Sequence, residues 1–320
     1  MSHEPLPYPD FSWSHSRDRT LVECTRAYYW RFYGSHNGWR ADAEPERRLA
    51  YALKHLTTLP LVLGTAIHAC ARDCALATRS RRPRPPFEVL LARVSADLNR
   101  TVLGSHHRAR FLRDPKRSPM LHEAWYRGRQ DGAAVARAVA KARLCLRTLL
   151  DAGVWTEIEA CPPESLTVVD SPEAFVHGGW AVYAGPDVVY RPGGRQVVIL
   201  DWKTGDETDA EMQIAVYALY CRKALGLRFR DGEWFGRVVN LASGEDRTIE
   251  ITRLDLLGAA ERIHASVGAM HALLQDPERN EPRAREMFPV VPPERRFACR
   301  ECAFFALCEE ELAGAPVAEP

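Results

Sequence analysis

The chain has 320 residues, 46% of them hydrophobic and 27% charged, which is typical of a folded soluble protein with room for one large or two smaller domains. It begins without a basic and then apolar leader, and no run approaches the roughly 18 apolar residues of a membrane span. We therefore expect a cytoplasmic protein without membrane partners. The net charge is +1, but the charge is unevenly distributed along the chain. Residues 79–143 hold 16 basic and 5 acidic residues, whereas the rest of the chain holds 27 basic and 37 acidic residues. This favours either a polyanionic partner for that segment or an arginine-rich solvated surface.

Two segments near the start of the chain each contain one residue that could be a metal ligand. Residues 11–33 predict a serine-capped helix that contains Cys24 among aromatic side chains. Residues 61–77 predict a second helix, with His68 in a largely apolar stretch. Taken alone, a cysteine or a histidine in such a helix is more often a buried packing residue than a ligand.

The segment 79–153 opens with a proline-rich break and predicts two amphipathic helices. Between them, residues 105–130 interleave basic side chains with Phe111, Trp125 and Tyr126. Basic and aromatic residues together suit single-stranded nucleic acid, because arginine meets phosphates while bases stack on rings. The same aromatics would equally suit packing within a helical insert.

The most informative stretch predicts a β-hairpin followed by a helix. Residues 188–190 and 197–202 form two apolar, β-branched runs around a Pro-Gly-Gly turn. Residues 209–220 then show helical spacing of apolar side chains. On that helix Gln213 and Tyr217 are four residues apart and share a face.

Three charged residues converge at the end of this hairpin. Asp201 and Lys203 are two apart on one strand and point to the same side, and Asp187 opens the preceding strand. Two facing carboxylates repel each other unless a cation such as Mg²⁺ lies between them. A lysine beside that cation can orient water or stabilise charge on a phosphate. The alternative is a surface strand with an ordinary Asp–Lys ion pair.

This pattern resembles the PD-(D/E)XK nuclease superfamily in its RecB-like branch. The resemblance implies that Asp187 and Asp201 are metal ligands, that Lys203 is the catalytic lysine, and that Gln213 and Tyr217 support the site and meet DNA. Family members with an iron–sulfur cluster also carry Gly-x-x-x-His on an early helix. Gly64 and His68 match that spacing, which implies that His68 is a further metal ligand.

The C-terminal region holds three clustered cysteines, Cys299, Cys302 and Cys308, in the spacing Cys-x2-Cys-x5-Cys. Three thiols need a fourth ligand, and Cys24 is the candidate. The same arrangement resembles AddB-type repair subunits and CRISPR-adaptation exonucleases, which implies a [4Fe–4S] cluster held by these four residues. Zinc is the alternative, since four cysteines also suit that metal.

We predict an α/β fold in which helices flank a mixed central β-sheet, as in restriction endonucleases, with a helical insert and a C-terminal cluster-binding segment. Residues 157–160 alternate in polarity and predict an early strand of this sheet. The predicted divisions are 1–78 (N-terminal helices of the core, with the first cluster cysteine), 79–153 (basic insert), 154–275 (catalytic core) and 276–320 (cluster segment).

The predicted activity is that of a Mg²⁺- or Mn²⁺-dependent DNA nuclease in repair, recombination or defence. It is expected to act as an exonuclease on single-stranded DNA or DNA ends. His68, Asp187 and Asp201 are the expected metal ligands, with the main-chain carbonyl of Trp202 as an addition. No phosphate-binding loop of a helicase is present, so unwinding requires a partner chain. The alternatives are a non-catalytic DNA-binding or assembly subunit that retains the fold and cluster, and a redox module.

Overall fold

A computed structural model describes residues 6–128, 131–168, 173–193, 195–205 and 209–313. The helices are α1 His15–Glu23, α2 Thr25–Tyr29, α3 Pro45–Leu53, α4 Leu59–Arg79, α5 Phe87–Gly104, α6 Arg108–Arg113, α7 His122–Arg127, α8 Gly132–Asp151, α9 Val154–Ala160, α10 Ala210–Lys223, α11 Arg253–His271 and α12 Phe305–Ala313. The strands are β1 Ser12–Ser14, β2 Leu56–Thr57, β3 Met120–Leu121, β4 Leu166–Val168, β5 Glu173–His177, β6 Trp180–Ala184, β7 Val188–Tyr190, β8 Val197–Lys203, β9 Trp234–Asn240, β10 Asp246–Glu250, β11 Leu274–Asp276 and β12 Glu281–Pro282.

The chain forms two compact units, each assembled from separate segments. Unit 1 comprises Met1–Thr58, Thr101–Gln130 and Ala265–Pro320, and unit 2 comprises Leu59–Arg100 and Asp131–His264. Unit 1 therefore combines both end regions of the chain with a segment from its middle, whereas unit 2 consists of two segments from the middle.

Unit 2 is built on a five-stranded sheet in the order β10-β9-β8-β7-β4. Strands β8 and β9 run parallel, and the other neighbours are antiparallel. Central strand β8 is buried on both faces over Val197–Trp202, as expected for a strand that helices cover. Helix α10 crosses this sheet so closely that a side chain at Gly236 would meet Ile214 Cγ2 at 2.4 Å. The predicted mixed α/β fold is confirmed.

Unit 1 is mainly helical. Its core gathers Trp30, Phe111, Trp125 and Phe304. A π-helical turn, Trp30–Gly34, follows α2, and a 3₁₀ segment, Pro293–Glu301, precedes α12.

Three expectations need correction. Residues 157–160 belong to helix α9 rather than to a strand, because Val154, Trp155 and Ile158 form one buried helical face. Cys24 lies at an extended break between α1 and α2, not inside one helix. Among the described residues, α4 is long and apolar enough to span a membrane, although core helices of folded proteins pass the same test.

Candidate functional site

Strands β7 and β8 bring the two candidate carboxylates face to face. Val188 pairs with Leu200 in the antiparallel register, and continuing that register by one residue sets Asp187 opposite Asp201. The main-chain N–H of Trp202 donates to Asp187 Oδ2 at 2.8 Å. The hairpin therefore fixes the position of Asp187 through the backbone of its partner strand.

Helix α4 supplies His68 to the same place. His68 Nδ1 lies 2.9 Å from Asp187 Oδ1. Burial lowers the pKa of His68, but the hydrogen bond and negative charge of Asp187 outweigh it, so the pKa is raised. One turn earlier, the Cβ of any larger residue at Gly64 would lie 3.2 Å from Thr204 Oγ1, so α4 approaches the end of β8 closely.

Asp201 is the most deeply buried charged group of the site, with 3% of its surface exposed. Its Oδ2 lies 2.7 Å from Lys203 Nζ but makes no hydrogen bond of good geometry to any described residue. Burial, and then the charge of Asp187, raise the pKa of Asp201 to about 6 despite Lys203. Without a further cation, this pocket disfavours the carboxylate form.

A hydrogen-bonded chain runs from the lysine to helix α10. Lys203 Nζ donates to Gln213 Oε1 at 2.6 Å, and Gln213 Nε2 donates to Tyr217 Oη at 2.5 Å. Burial, followed by the negative charges of Asp201 and Asp187, raises the pKa of Tyr217 well above its usual value. Tyr217 is therefore a neutral phenol at physiological pH, and it holds Gln213, which in turn holds Lys203.

Trp202 contributes to the site through its backbone, while its side chain packs in the core. The indole is fully buried and lies 5.5 Å from the ring of Trp155, centroid to centroid. Because Trp202 lies between Asp201 and Lys203 in the sequence, this ring contact fixes the end of β8 that carries both residues. The role of the Trp202 carbonyl as a ligand stays a prediction.

The donor set suits a hard divalent ion in chemistry and charge, since Asp187, Asp201 and His68 offer two carboxylates and an imidazole. The burial of the Asp201 carboxylate opposite Asp187 is the observation that favours such an ion. However, no group of three such side chains is arranged to hold a metal within the described ranges. Asp187 Oδ2 accepts from the Trp202 N–H and Asp187 Oδ1 lies against His68 Nδ1, which leaves a second lone pair on each oxygen and the Nε2 of His68 as possible ligand positions.

A cavity of about 700 Å³ opens beside this cluster, between α4 and the start of β7. Leu61, Thr65 and Arg72 line it together with His68 and Asp187. Sequence reasoning missed these three residues. The available signal was helical spacing, because positions 61, 65, 68 and 72 lie on one face of α4.

The four predicted cluster cysteines lie together in unit 1. The 3₁₀ segment carries Cys299 and ends at Cys302, α12 carries Cys308, and Cys24 lies at the α1–α2 break. Two thiols accept backbone N–H groups at 3.4 Å, Cys24 from Ala27 and Cys302 from Phe304. These contacts direct backbone N–H groups at two of the sulfur atoms.

Mutual electrostatic effects also show that these thiols are neighbours. Burial, together with the nearby Cys24 and Cys299, raises the pKa of Cys302 to about 11. Burial likewise raises the pKa of Cys308 to about 12, against an opposing effect of the Trp30 indole. That opposing effect is a hydrogen bond from the buried Trp30 indole N–H to the Cys308 sulfur.

Further contacts in unit 1 join the region of Cys24 to the C-terminal region of the chain. Thr25 Oγ1 donates to the Pro289 carbonyl at 2.8 Å, and Arg26 Nε donates to the Phe288 carbonyl at 2.6 Å. Arg26 also pairs with Glu311 at 2.5 Å. These contacts join the regions that carry the cysteines, although no three cysteines of the described ranges are arranged as a group that could hold a metal ion.

Comparison with known proteins gives a family and little else. Residues 12–309 match the model of the PD-(D/E)XK nuclease superfamily. No curated protein matches the chain. A solved structure titled "Crystal structure of SSO0001" is 13% identical, covers 68% of this chain and 85% of its own, and has a TM-score of 0.28. That likeness is too low to support an argument, whereas the family match spans nearly the whole sequence. The chain belongs to the PD-(D/E)XK nuclease superfamily.

Proposed function

We propose that this protein is a Mg²⁺- or Mn²⁺-dependent deoxyribonuclease of the RecB-like branch. Superfamily membership indicates a nuclease acting on nucleic acid. The observation that carries the finer proposal is the convergence of His68, Asp187, Asp201 and Lys203 in unit 2. An ordinary surface ion pair does not need a second carboxylate and a histidine around a buried aspartate.

His68, Asp187, Asp201 and the Trp202 carbonyl are the proposed metal ligands. A divalent ion bound there supplies Lewis-acid polarisation of a phosphoryl oxygen and lowers the pKa of bound water. The protein's own contribution is to hold two carboxylates at a buried sheet end. His68 would hold the ion through Nε2, while its Nδ1 keeps the contact with Asp187 that orients the ring.

Lys203 is the proposed catalytic lysine. Its ammonium group orients the attacking water and stabilises negative charge that develops on the phosphate. Gln213 and Tyr217 are positioning residues, because each acts on the next through the hydrogen bonds of 2.6 and 2.5 Å that end at Lys203.

We propose that Cys24, Cys299, Cys302 and Cys308 hold a [4Fe–4S] cluster, with zinc as the alternative metal. The support is their neighbourhood in unit 1, the backbone N–H groups directed at two of the thiols and the Trp30 indole beside Cys308. Metal binding there closes a very long loop and thereby restricts the unfolded chain, so the role is structural.

We further propose that the enzyme is an exonuclease that acts on single strands or DNA ends in repair, recombination or defence. The test compares linear and covalently circular single-stranded DNA of one sequence in Mn²⁺. Linear DNA should be degraded to completion while the circle stays intact, because an exonuclease requires an end. Equal cleavage of both substrates would show an endonuclease and contradict this part of the proposal.

One observation favours the alternative of a non-catalytic DNA-binding or assembly subunit. Both oxygens of Asp187 are engaged by protein donors, and the described side chains form no ready three-ligand group. In that case the protein binds both DNA forms in the same assay and cleaves neither. A helicase or other subunit would then be its partner.

A further inference from the structure

A second cavity, of about 840 Å³, lies entirely within unit 1. One wall comes from the loop and helix around α3, and the other from the end of α6 and the loop that follows it. The residues that carry the inference are Trp39, Tyr51, Leu112, Arg113, Lys116 and Arg117. This lining combines exposed aromatic and apolar surface with a concentration of positive charge.

Trp39 presents an open ring at this cavity, with 53% of its surface exposed. The ring is nevertheless held in place, since its centroid lies 5.4 Å from that of His36 and 5.6 Å from that of Tyr51, both in edge-on geometry. The preceding residue, Gly38, approaches α3 so closely that a Cβ would lie 2.5 Å from the Arg47 carbonyl. An exposed indole that is fixed in this way offers a preformed stacking face.

The opposite wall carries three cations and one carboxylate, that of Asp114. Arg113, Lys116 and Arg117 are exposed, and none forms an ion pair with an acidic side chain of the described chain. By contrast, Arg40 in the same cavity is neutralised by Asp42 through two hydrogen bonds of 2.9 Å. Backbone N–H groups of Arg117 and Ser118 donate to the Asp114 carbonyl, which orders the loop that carries these cations.

We propose that this cavity binds a segment of single-stranded DNA apart from the catalytic cluster. One base stacks on Trp39, Leu112 (48% exposed) contacts the sugar or a neighbouring base, and Arg113, Lys116 and Arg117 pair with phosphates. A duplex cannot use the site, because its bases are stacked on one another and their faces are covered. The choice of DNA rests on the proposed function, whereas the preference for a single strand rests on this geometry.

The test is fluorescence anisotropy with labelled oligodeoxythymidine in buffer without divalent metal, on the Lys203→Ala background to prevent cleavage. Trp39→Ala should weaken binding by about 5- to 100-fold, whereas Trp39→Phe should keep affinity within about 3-fold, because stacking on a ring is retained. Phe297→Ala is the matched control, since that aromatic is 78% exposed elsewhere in unit 1 and should have no effect. A thermal melt of each variant verifies folding.

The salt dependence of DNA binding tests the role of Arg113, Lys116 and Arg117. Replacing Arg113, Lys116 and Arg117 with alanine should reduce the slope of log Kd against log salt concentration by about 2, from roughly 0.7 for each lost phosphate contact. Substituting exposed Arg100 and Arg137 should leave the slope unchanged.

Unchanged affinity in Trp39→Ala, tighter binding of duplex than of single strand, or no binding by the parent protein would each overturn the inference. Wild-type cleavage, measured separately, decides the proposed nuclease whatever these results are.

Discussion

Replacing Asp201 with asparagine should abolish metal-dependent cleavage, by about 10³-fold or more, while raising the melting temperature of the metal-free protein. The carboxylate of Asp201 is buried opposite Asp187, and its pKa is raised to about 6 although Lys203 lies 2.7 Å away. Burial and repulsion therefore outweigh the ion pair. A neutral amide of the same shape removes an unfavourable charge and, with it, a metal ligand.

The sign of the pH effect follows from the same shift. Asp201 binds a proton more tightly in the folded state than in the unfolded state, where its pKa is near the ordinary value of 3.8. Stability from this group is therefore full below about pH 4 and is lost as pH rises to about 6, by on the order of 1–3 kcal/mol. Metal-free wild type should lose this stability over that range, and Asp201→Asn should not.

Differential scanning fluorimetry in chelator and in Mn²⁺ measures both effects. We expect Mn²⁺ to raise the melting temperature of wild type above pH 6 and to leave Asp201→Asn unchanged. Asp42→Asn is the control, because Asp42 is an exposed carboxylate whose pKa is lowered by its hydrogen bond with Arg40. A lower melting temperature for metal-free Asp201→Asn, with the Mn²⁺ shift retained, would contradict this account of the site.

Replacing Cys302 with serine should remove most of the bound metal and lower the melting temperature by roughly 10 °C or more, because metal-binding energy at such a site is folding energy. Cys302 lies at the end of the 3₁₀ segment and packs against the core of Trp30 and Phe304. A serine hydroxyl cannot replace the thiolate in a cluster of soft ligands.

The measurement is iron, sulfide and zinc per chain after anaerobic purification. Wild type should carry about four irons with matching sulfide if the cluster is [4Fe–4S], or one zinc and no sulfide if it is zinc. Cys145→Ser is the matched control, since Cys145 is fully buried in α8 away from the four proposed ligands. The Cys145→Ser protein should contain as much metal as wild type. Undiminished metal content in Cys302→Ser would contradict the four-cysteine assignment.

Much of the candidate site in unit 2 was predictable because its signals are local. The β-branched runs of β7 and β8, the two-residue spacing of Asp201 and Lys203 and the four-residue spacing of Gln213 and Tyr217 all follow from backbone periodicity. Their geometry in the structure matches the spacing. His68 needed the family resemblance, since nothing local connects it with Asp187, which is 119 positions away.

The remaining errors have physical causes. Residues 157–160 are too short a window to separate strand alternation from one turn of helix, and the deciding partner residues, Val154 and Trp155, precede them. Phe111 and Trp125 pack in the core of unit 1, so their interleaving with arginine does not make a stacking surface. Trp39 stands exposed in a segment with no periodic signal, and only the fold brings it to the cations that follow α6.

The proposed nuclease activity is tested by cleavage of end-labelled linear single-stranded DNA with anaerobically purified protein, in Mn²⁺, Mg²⁺ or chelator, beside Lys203→Ala. We expect degradation in either metal, none in chelator, and a loss of about 10²- to 10⁴-fold in Lys203→Ala with DNA binding retained. Cleavage that persists in chelator, or that Lys203→Ala performs at the wild-type rate, would contradict the assignment of His68, Asp187, Asp201 and Lys203 as the active site.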